Sequence, residues 1–154
     1  MQKLPRSFYG RDTIAVAREL LGKWLVHAAR GEERVGKIVE AEAYLGPHDL
    51  AAHSSKGLTE REGHGSAVLL RALEPIKNLT GRTAGPGLLC QAMHIDKRLN
   101  AHDLLSDNFF IAAPTDVEPF AIVKAPRIGV NYAGRWAGRH LRFYIKGNAF
   151  ISRR

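Results

Sequence analysis

The chain has 154 residues, 45% of them apolar and 25% charged, which excludes a disordered or fibrous protein. That length suits one domain, since domains run to roughly 100–200 residues. Lys and Arg number 23 against 15 Asp and Glu, and a formal net charge of +8 asks for an anionic partner, with nucleic acid ahead of a membrane surface or ribosomal neighbour.

In chain order, Asp12 is a good N-cap for a helix whose stripe is Ile14, Ala17 and Leu21, closed by Gly22. Residues 23–29 read as a strand around Trp24, Leu25 and Val26, and residues 30–34 as a polar turn. Residues 35–45 read as a longer strand. Period two puts Ile38, Glu40, Glu42 and Tyr44 on one side and Val39, Ala41, Ala43 and Leu45 on the other. Gly46-Pro47-His48-Asp49 breaks it, and residues 50–55 suit a short helical turn. Residues 66–73 form a third strand, apolar apart from Arg71. Gly85-Pro86-Gly87 opens a helix reaching Ile95. Later strands fall at 121–124 and 141–145, with a short basic helix at 133–138. Strands and helices mix without regular βαβ alternation, which predicts the α+β class.

Cys90 is the single cysteine, so no intrachain disulfide can form and a Cys-based zinc site is excluded. Residues 1–12 lack a signal-type apolar core, and no apolar run nears the roughly 20 residues that span a bilayer. A cytoplasmic protein is expected, nucleoid-associated in a prokaryote, with no membrane partner. No repeat or low-complexity linker divides the chain.

Glu40 and Glu42 stand two apart on one strand, so both carboxylates share a face with Tyr44. Two readings are open: a solvated edge strand, or a carboxylate in a cleft beside an aromatic ring that holds a flat substrate. Arg71, alone in an apolar run, is either ion-paired with Glu74 or another carboxylate, or has a catalytic or phosphate role. His48, Asp49 and His53 lack the spacing of helical zinc sites, and no metal or cofactor is expected. Gly85-Pro86-Gly87 offers helix N–H groups to an anion, though it is also ordinary turn chemistry. Lys124, Arg127, Arg135, Arg139, Arg142, Lys146, Arg153 and Arg154 interleave with Tyr132, Trp136, Phe143 and Tyr144. Part of that tail is core, and the other cations fit a phosphate-tracking surface.

These residues, in this order, resemble the 3-methyladenine (alkyladenine) DNA glycosylase family of the mammalian type, as distinct from the helix-hairpin-helix type. The resemblance rests on Phe8-Tyr9-Gly10-Arg11-Asp12 through Leu20-Leu21-Gly22-Lys23, and on Glu40-Ala41-Glu42-Ala43-Tyr44-Leu45-Gly46-Pro47 with Asp49 and Ala51-Ala52-His53-Ser54. It continues in Val68-Leu69-Leu70-Arg71-Ala72-Leu73-Glu74-Pro75, in Gly85-Pro86 with Leu89-Cys90-Gln91-Ala92, and in Arg127-Ile128-Gly129-Val130 to Arg142-Phe143-Tyr144. It covers nearly the whole chain. A single α+β domain is implied, with a mixed, mainly antiparallel curved sheet and surrounding helices.

By resemblance, Glu42 is the general base that activates water, and Arg71 lies near that water and the DNA backbone. Tyr44 stacks on a flipped base. His53, with Ala52, contacts that base from the other side, and Met93 and Gly87 lie along one pocket wall. Gly87, Arg127, Arg135 and Arg139 are the DNA-contact candidates. The family's Tyr-rich segment is missing near 58–63, with a second shortening near 75–78. Either the molecule lacks these pieces or they were dropped when the sequence was assembled; the second is preferred, because losing an interior strand pair exposes a packed fold.

The function implied is a monomeric, monofunctional glycosylase that flips alkylated or deaminated purines out of double-stranded DNA. Glu42 deprotonates the water that attacks C1′, and no lysine Schiff base or strand cleavage is expected. Two rivals are a non-catalytic nucleic-acid-binding module of the same fold and a hydrolase of small purine nucleosides. The basic surface argues against the last.

Overall fold

A computed structural model describes residues 1–52 and 65–153. The elements are β1 (Gln2–Lys3), α1 (Arg6–Tyr9), α2 (Thr13–Glu19), β2 (Trp24–Ala29), β3 (Glu32–Tyr44), β4 (Ala67–Lys77), α3 (Pro86–Met93), β5 (Phe109–Ala113), β6 (Ile122–Ala125) and β7 (Arg142–Ile145). The described strands form one curved, open, antiparallel sheet in the order β1-β5-β2-β3-β7-β6, with β4 on the remaining edge of β3. The α+β expectation holds.

β3 is the spine. Its Glu32–Lys37 half pairs with β2 and its Glu40–Glu42 stretch pairs with β7, while β4 runs along the opposite edge. The polar turn expected at 30–34 contracts to two residues, Arg30 (φ 55°) and Gly31 (φ 76°), because Ala29 already faces Glu32. Two positive φ values match the right-handed twist of the flanking strands, and Gly31 adopts one without strain.

Asp12 caps α2 by accepting from Ala15 N–H at 2.9 Å, as its sequence position predicts. α2 lays Val16 and Ala17 against the sheet, and α3 lays Leu89, Ala92 and Met93 there. Leu25, Ile38, Leu73, Met93 and Phe143 are almost wholly buried, each stabilising the fold by about 1.5–3 kcal/mol. β1 and β5 were not expected from sequence. The Phe-Phe-Ile-Ala-Ala run of β5, ahead of Pro114, carried a usable strand signal. The basic helix expected at 133–138 is instead a pair of 3-10 turns over Asn131–Trp136, broken at Gly134 (φ 57°, ψ −129°).

β4 continues four residues past the expected end at 73, through Pro75, and the stretch near 75–78 is paired strand up to Lys77 opposite Val35. Residues 58–63 lie outside the described residues.

The β3–β4 register slips three times, and the two slips in mid-strand shape the site. Val39 is an extra residue on β3 between the Ile38–Leu73 and Glu40–Ala72 pairs. Arg71 is an extra residue on β4 between the Glu40–Ala72 and Ala41–Leu70 pairs. Bulges of this kind bend a sheet and re-aim side chains, and they recur beside functional sites. The Arg71 carbonyl, out of step with β3, accepts from Gly85 N–H at 2.9 Å.

Candidate active site

Glu40 and Glu42 occupy the middle of β3, flanked on both edges, and neither has any exposed surface. The solvated edge-strand reading is overturned: the strand is central because β7 returns from the far end of the chain to cover it. Ionised carboxylates at such depth need donors, and each oxygen has one. Glu42 Oε2 accepts from the Tyr44 hydroxyl at 2.7 Å, and Oε1 accepts from Ile128 N–H at 2.8 Å. Arg71 Nη1 stands 3.4 Å from Glu42 Oε1, and its Nε is 3.7 Å from Glu40 Oε1. Glu40 Oε1 also accepts from Arg142 Nη1 at 2.9 Å.

Tyr44 is half-buried at the end of β3, and two effects hold its hydroxyl in the protonated form. Burial is the larger, and the adjacent Glu42 carboxylate adds to it. The Arg127 guanidinium lies 4.7 Å from the Tyr44 ring centroid and makes two bonds to Asp49, at 2.6 and 2.9 Å. It also donates to the Ala43 carbonyl at 3.0 Å. Asp49 in turn accepts from Leu45 N–H and Ala51 N–H, which folds the 45–51 loop against the Tyr44 ring. Burial alone would raise the Asp49 carboxyl, but the Arg127 hydrogen bonds and these two amides hold it below its ordinary value.

Two expected site residues are buried. Arg127, expected among the DNA contacts, has no exposed side-chain surface, because Asp49, 78 residues away, takes it inward. Met93 does not line an open wall: it is wholly buried, since Leu89, Ala92 and Met93 make one helical stripe facing the sheet. Ala52 is buried beside the loop, Gly87 is exposed in the first turn of α3, and His53 lies outside the described residues. Asp49 is held by Arg127, so the His48–Asp49–His53 grouping has its acid committed elsewhere. A cavity of about 700 Å³ opens among Tyr9, Val16, Val68, Leu70, Leu89 and Phe109, and neither Glu42 nor Tyr44 lines it.

Arg135 and Arg139 are exposed, with Arg139 lying over the Trp136 ring at 4.7 Å. From residue 119 onward the chain carries eight cations and no Asp or Glu, a charge equal to the whole net +8. The structure divides them. Arg127 and Arg142 turn inward to Asp49 and Glu40, while Lys124, Arg135, Arg139, Lys146 and Arg153 are exposed. Sequence reasoning missed the Asp49–Arg127 pair, the Ile128 amide and Ser152. Only the acid-free run of the tail could have hinted that some of its cations seek partners elsewhere.

A buried carboxylate with a tyrosine and an arginine, on a chain with exposed cations, is an arrangement that suits an enzyme acting on a polyanion. Comparison with known proteins shows the family. The profile of the methylpurine-DNA glycosylase (MPG) family matches residues 7–62 and 58–149. Among relatives, a protein of Legionella pneumophila (strain Corby) named "Putative 3-methyladenine DNA glycosylase" is 55% identical over 182 positions, covering 99% of this chain and 100% of that one. Proteins of the same name from Anaeromyxobacter sp. (strain Fw109-5) and Myxococcus xanthus (strain DK1622) are 44% and 39% identical, covering 98% and 99% of this chain and 93% and 95% of theirs. The chain belongs to the methylpurine-DNA glycosylase family. An alignment of 182 positions exceeds its 154 residues, so at least 28 positions of the Legionella relative have no counterpart here.

Proposed function

We propose that the protein is a monofunctional DNA glycosylase that excises alkylated or deaminated purines from duplex DNA, acting as a monomer on a base flipped from the stack. The observation that carries this reading is the Glu42 carboxylate: buried, its two oxygens held by the Tyr44 hydroxyl and the Ile128 amide, with Arg71 3.4 Å away. An ionised carboxylate offers about four lone-pair positions, so these donors leave one acceptor position at Oε2 to which a water can donate.

That water gives a proton to Glu42 as its oxygen bonds to the sugar C1′. The C1′–N bond breaks and its electron pair leaves with the purine. An N-alkylated purine already carries positive charge and departs neutral, whereas a neutral purine such as hypoxanthine needs a proton first. Base catalysis of this kind contributes about 10²–10⁴-fold. The Tyr44 ring, backed by Arg127, provides a flat surface for the extruded base, and unpairing is cheaper for a damaged one. Arg135, Arg139 and the neighbouring exposed cations attract the phosphates. No lysine is assigned a Schiff base, so the abasic strand is left intact.

The alternative is a nucleic-acid-binding module without catalysis, and the shorter chain is the observation in its favour. Incubation with duplexes holding one 3-methyladenine, ethenoadenine or hypoxanthine, followed by alkali, separates the two. Base release by wild type and not by Glu42→Gln supports the glycosylase. Equal release by both removes Glu42 as the base, and no release from any lesion selects the binding module. Strand breaks before alkali would contradict the monofunctional reading.

A further inference from the structure

Glu40 is the second carboxylate of the site, and the chemistry above gives it no part. It is joined to Glu42 through an alternating row of charges: Glu42, Arg71, Glu40, Arg142. Each of these side chains is at least nine-tenths buried. A buried acid that served only as a counter-ion to Arg142 would be expected to take that guanidinium with both oxygens. Arg142 instead bonds Oε1 alone, while its Nε donates to the Pro126 carbonyl (2.8 Å) and its Nη1 also to the Arg153 carbonyl (2.8 Å). Glu40 Oε2 accepts from Ser152 N–H at 2.6 Å, and the Ser152 hydroxyl accepts from Arg71 Nε at 3.3 Å.

Arg71 is thus gripped on its Nε edge by Glu40 and Ser152 while Nη1 faces Glu42. Its contacts, at 3.3, 3.4 and 3.7 Å, all exceed the roughly 2.7–2.9 Å of a close guanidinium–carboxylate bond. Glu40 and Glu42 pull it from two sides at nearly equal distance, and it makes a close bond to neither. We propose that Glu40 is a positioning residue that, together with Ser152, holds Arg71 between the two carboxylates and keeps it from capturing Glu42. With the opposing charge gone, Arg71 closes on Glu42 Oε1 and stabilises the charged carboxylate, which makes it a weaker base toward the water at Oε2. The bulge that sets Arg71 outside the β4 register makes its aim depend on side-chain partners as well as on the strand.

The inference rests on the glycosylase reading for its kinetic consequence, so its test has two readouts. Glu40→Gln preserves shape and removes the charge, and Ser152→Ala removes only the hydroxyl. In single-turnover assays on a lesion that wild type processes, Glu40→Gln is expected to slow release by about 10–100-fold, the scale of a small misplacement in a site. Duplex affinity should stay within about twofold. Ser152→Ala should slow release in the same direction and by less. The second readout is the Arg71 Nε–H signal in nitrogen-edited NMR spectra, expected to shift in both variants. A folded Glu40→Gln protein with unchanged rate overturns the proposal, as does a parallel loss of rate and affinity. Should wild type release no base, the glycosylase reading has failed, and an unmoved Arg71 signal would then overturn this one separately. Should Glu40→Gln not fold, the Arg71 signal and rate of Ser152→Ala decide alone.

Discussion

Tyr44 donates its hydroxyl to Glu42 Oε2 at 2.7 Å, so the ring and the carboxylate two residues before it are held as one unit. The bond ties the proposed stacking surface to the proposed base, and shifting either moves the other.

Tyr44→Phe keeps the ring and removes that donor. Hydrogen bonds to charged groups contribute about 1.5–3 kcal/mol, so base release should slow by roughly tenfold while lesion affinity falls less. The variant also tests the raised Tyr44 ionisation. A folded-state value above the unfolded one adds stability that is present below about pH 10 and lost as pH rises further. Thermal melts between neutral pH and pH 11 should show that alkaline loss in wild type and less of it in Tyr44→Phe.

Asp49→Asn breaks the buried pair with Arg127 and leaves a guanidinium uncompensated. Removing one partner of such a pair costs about 3–5 kcal/mol, measurable by urea unfolding at neutral pH. Because the Asp49 value is lowered, the pair's contribution is full above the ordinary carboxylate range of about 4. It fades as pH falls below that, so wild type and Asp49→Asn should converge in stability toward acid.

Replacing Arg135, Arg139 or Lys146 by Ala should reduce the salt dependence of duplex binding. For every phosphate that a removed cation had neutralised, the slope of log affinity against log salt becomes shallower by about 0.9. A folded Arg127→Lys protein should keep the wild-type slope, since Arg127 reaches no surface. A slope that drops for Arg127 and not for the exposed cations would reverse this assignment.

Gly36→Ala probes the packing of the spine. An added Cβ would lie 2.7 Å from Leu73 Cδ1 and 3.0 Å from Leu73 Cβ. The second approach is too near the backbone to be relieved by a rotamer change, so a loss of about 1–3 kcal/mol is expected in denaturant unfolding.

Much of the fold was legible because its signals are local. The Asp12 cap, the period-two run through Glu40, Glu42 and Tyr44, and the Gly-Pro-Gly opening of α3 depend on neighbours within a few residues. β1 gave no such signal: its two residues pair with Ala112 and Ala113 of β5, far along the chain. The bulge at Arg71 was equally hidden, because it is a relation between two strands and neither alone records it.

The amino-acid sequence by itself determined that this is a basic α+β domain with a Glu-x-Glu-x-Tyr strand, and its motifs named the family. Even the position of the charge is written there, since the whole net +8 falls after residue 118. Which of those cations face outward was decided only by tertiary structure. Arg127 and Arg142 read like their neighbours, yet each is buried against a carboxylate 78 or 102 residues away, while Lys124, Arg135, Arg139, Lys146 and Arg153 stay at the surface. The physical reason is that a buried ion pair forms only when packing brings both charges out of water together. Composition counts charges, and the fold assigns their partners.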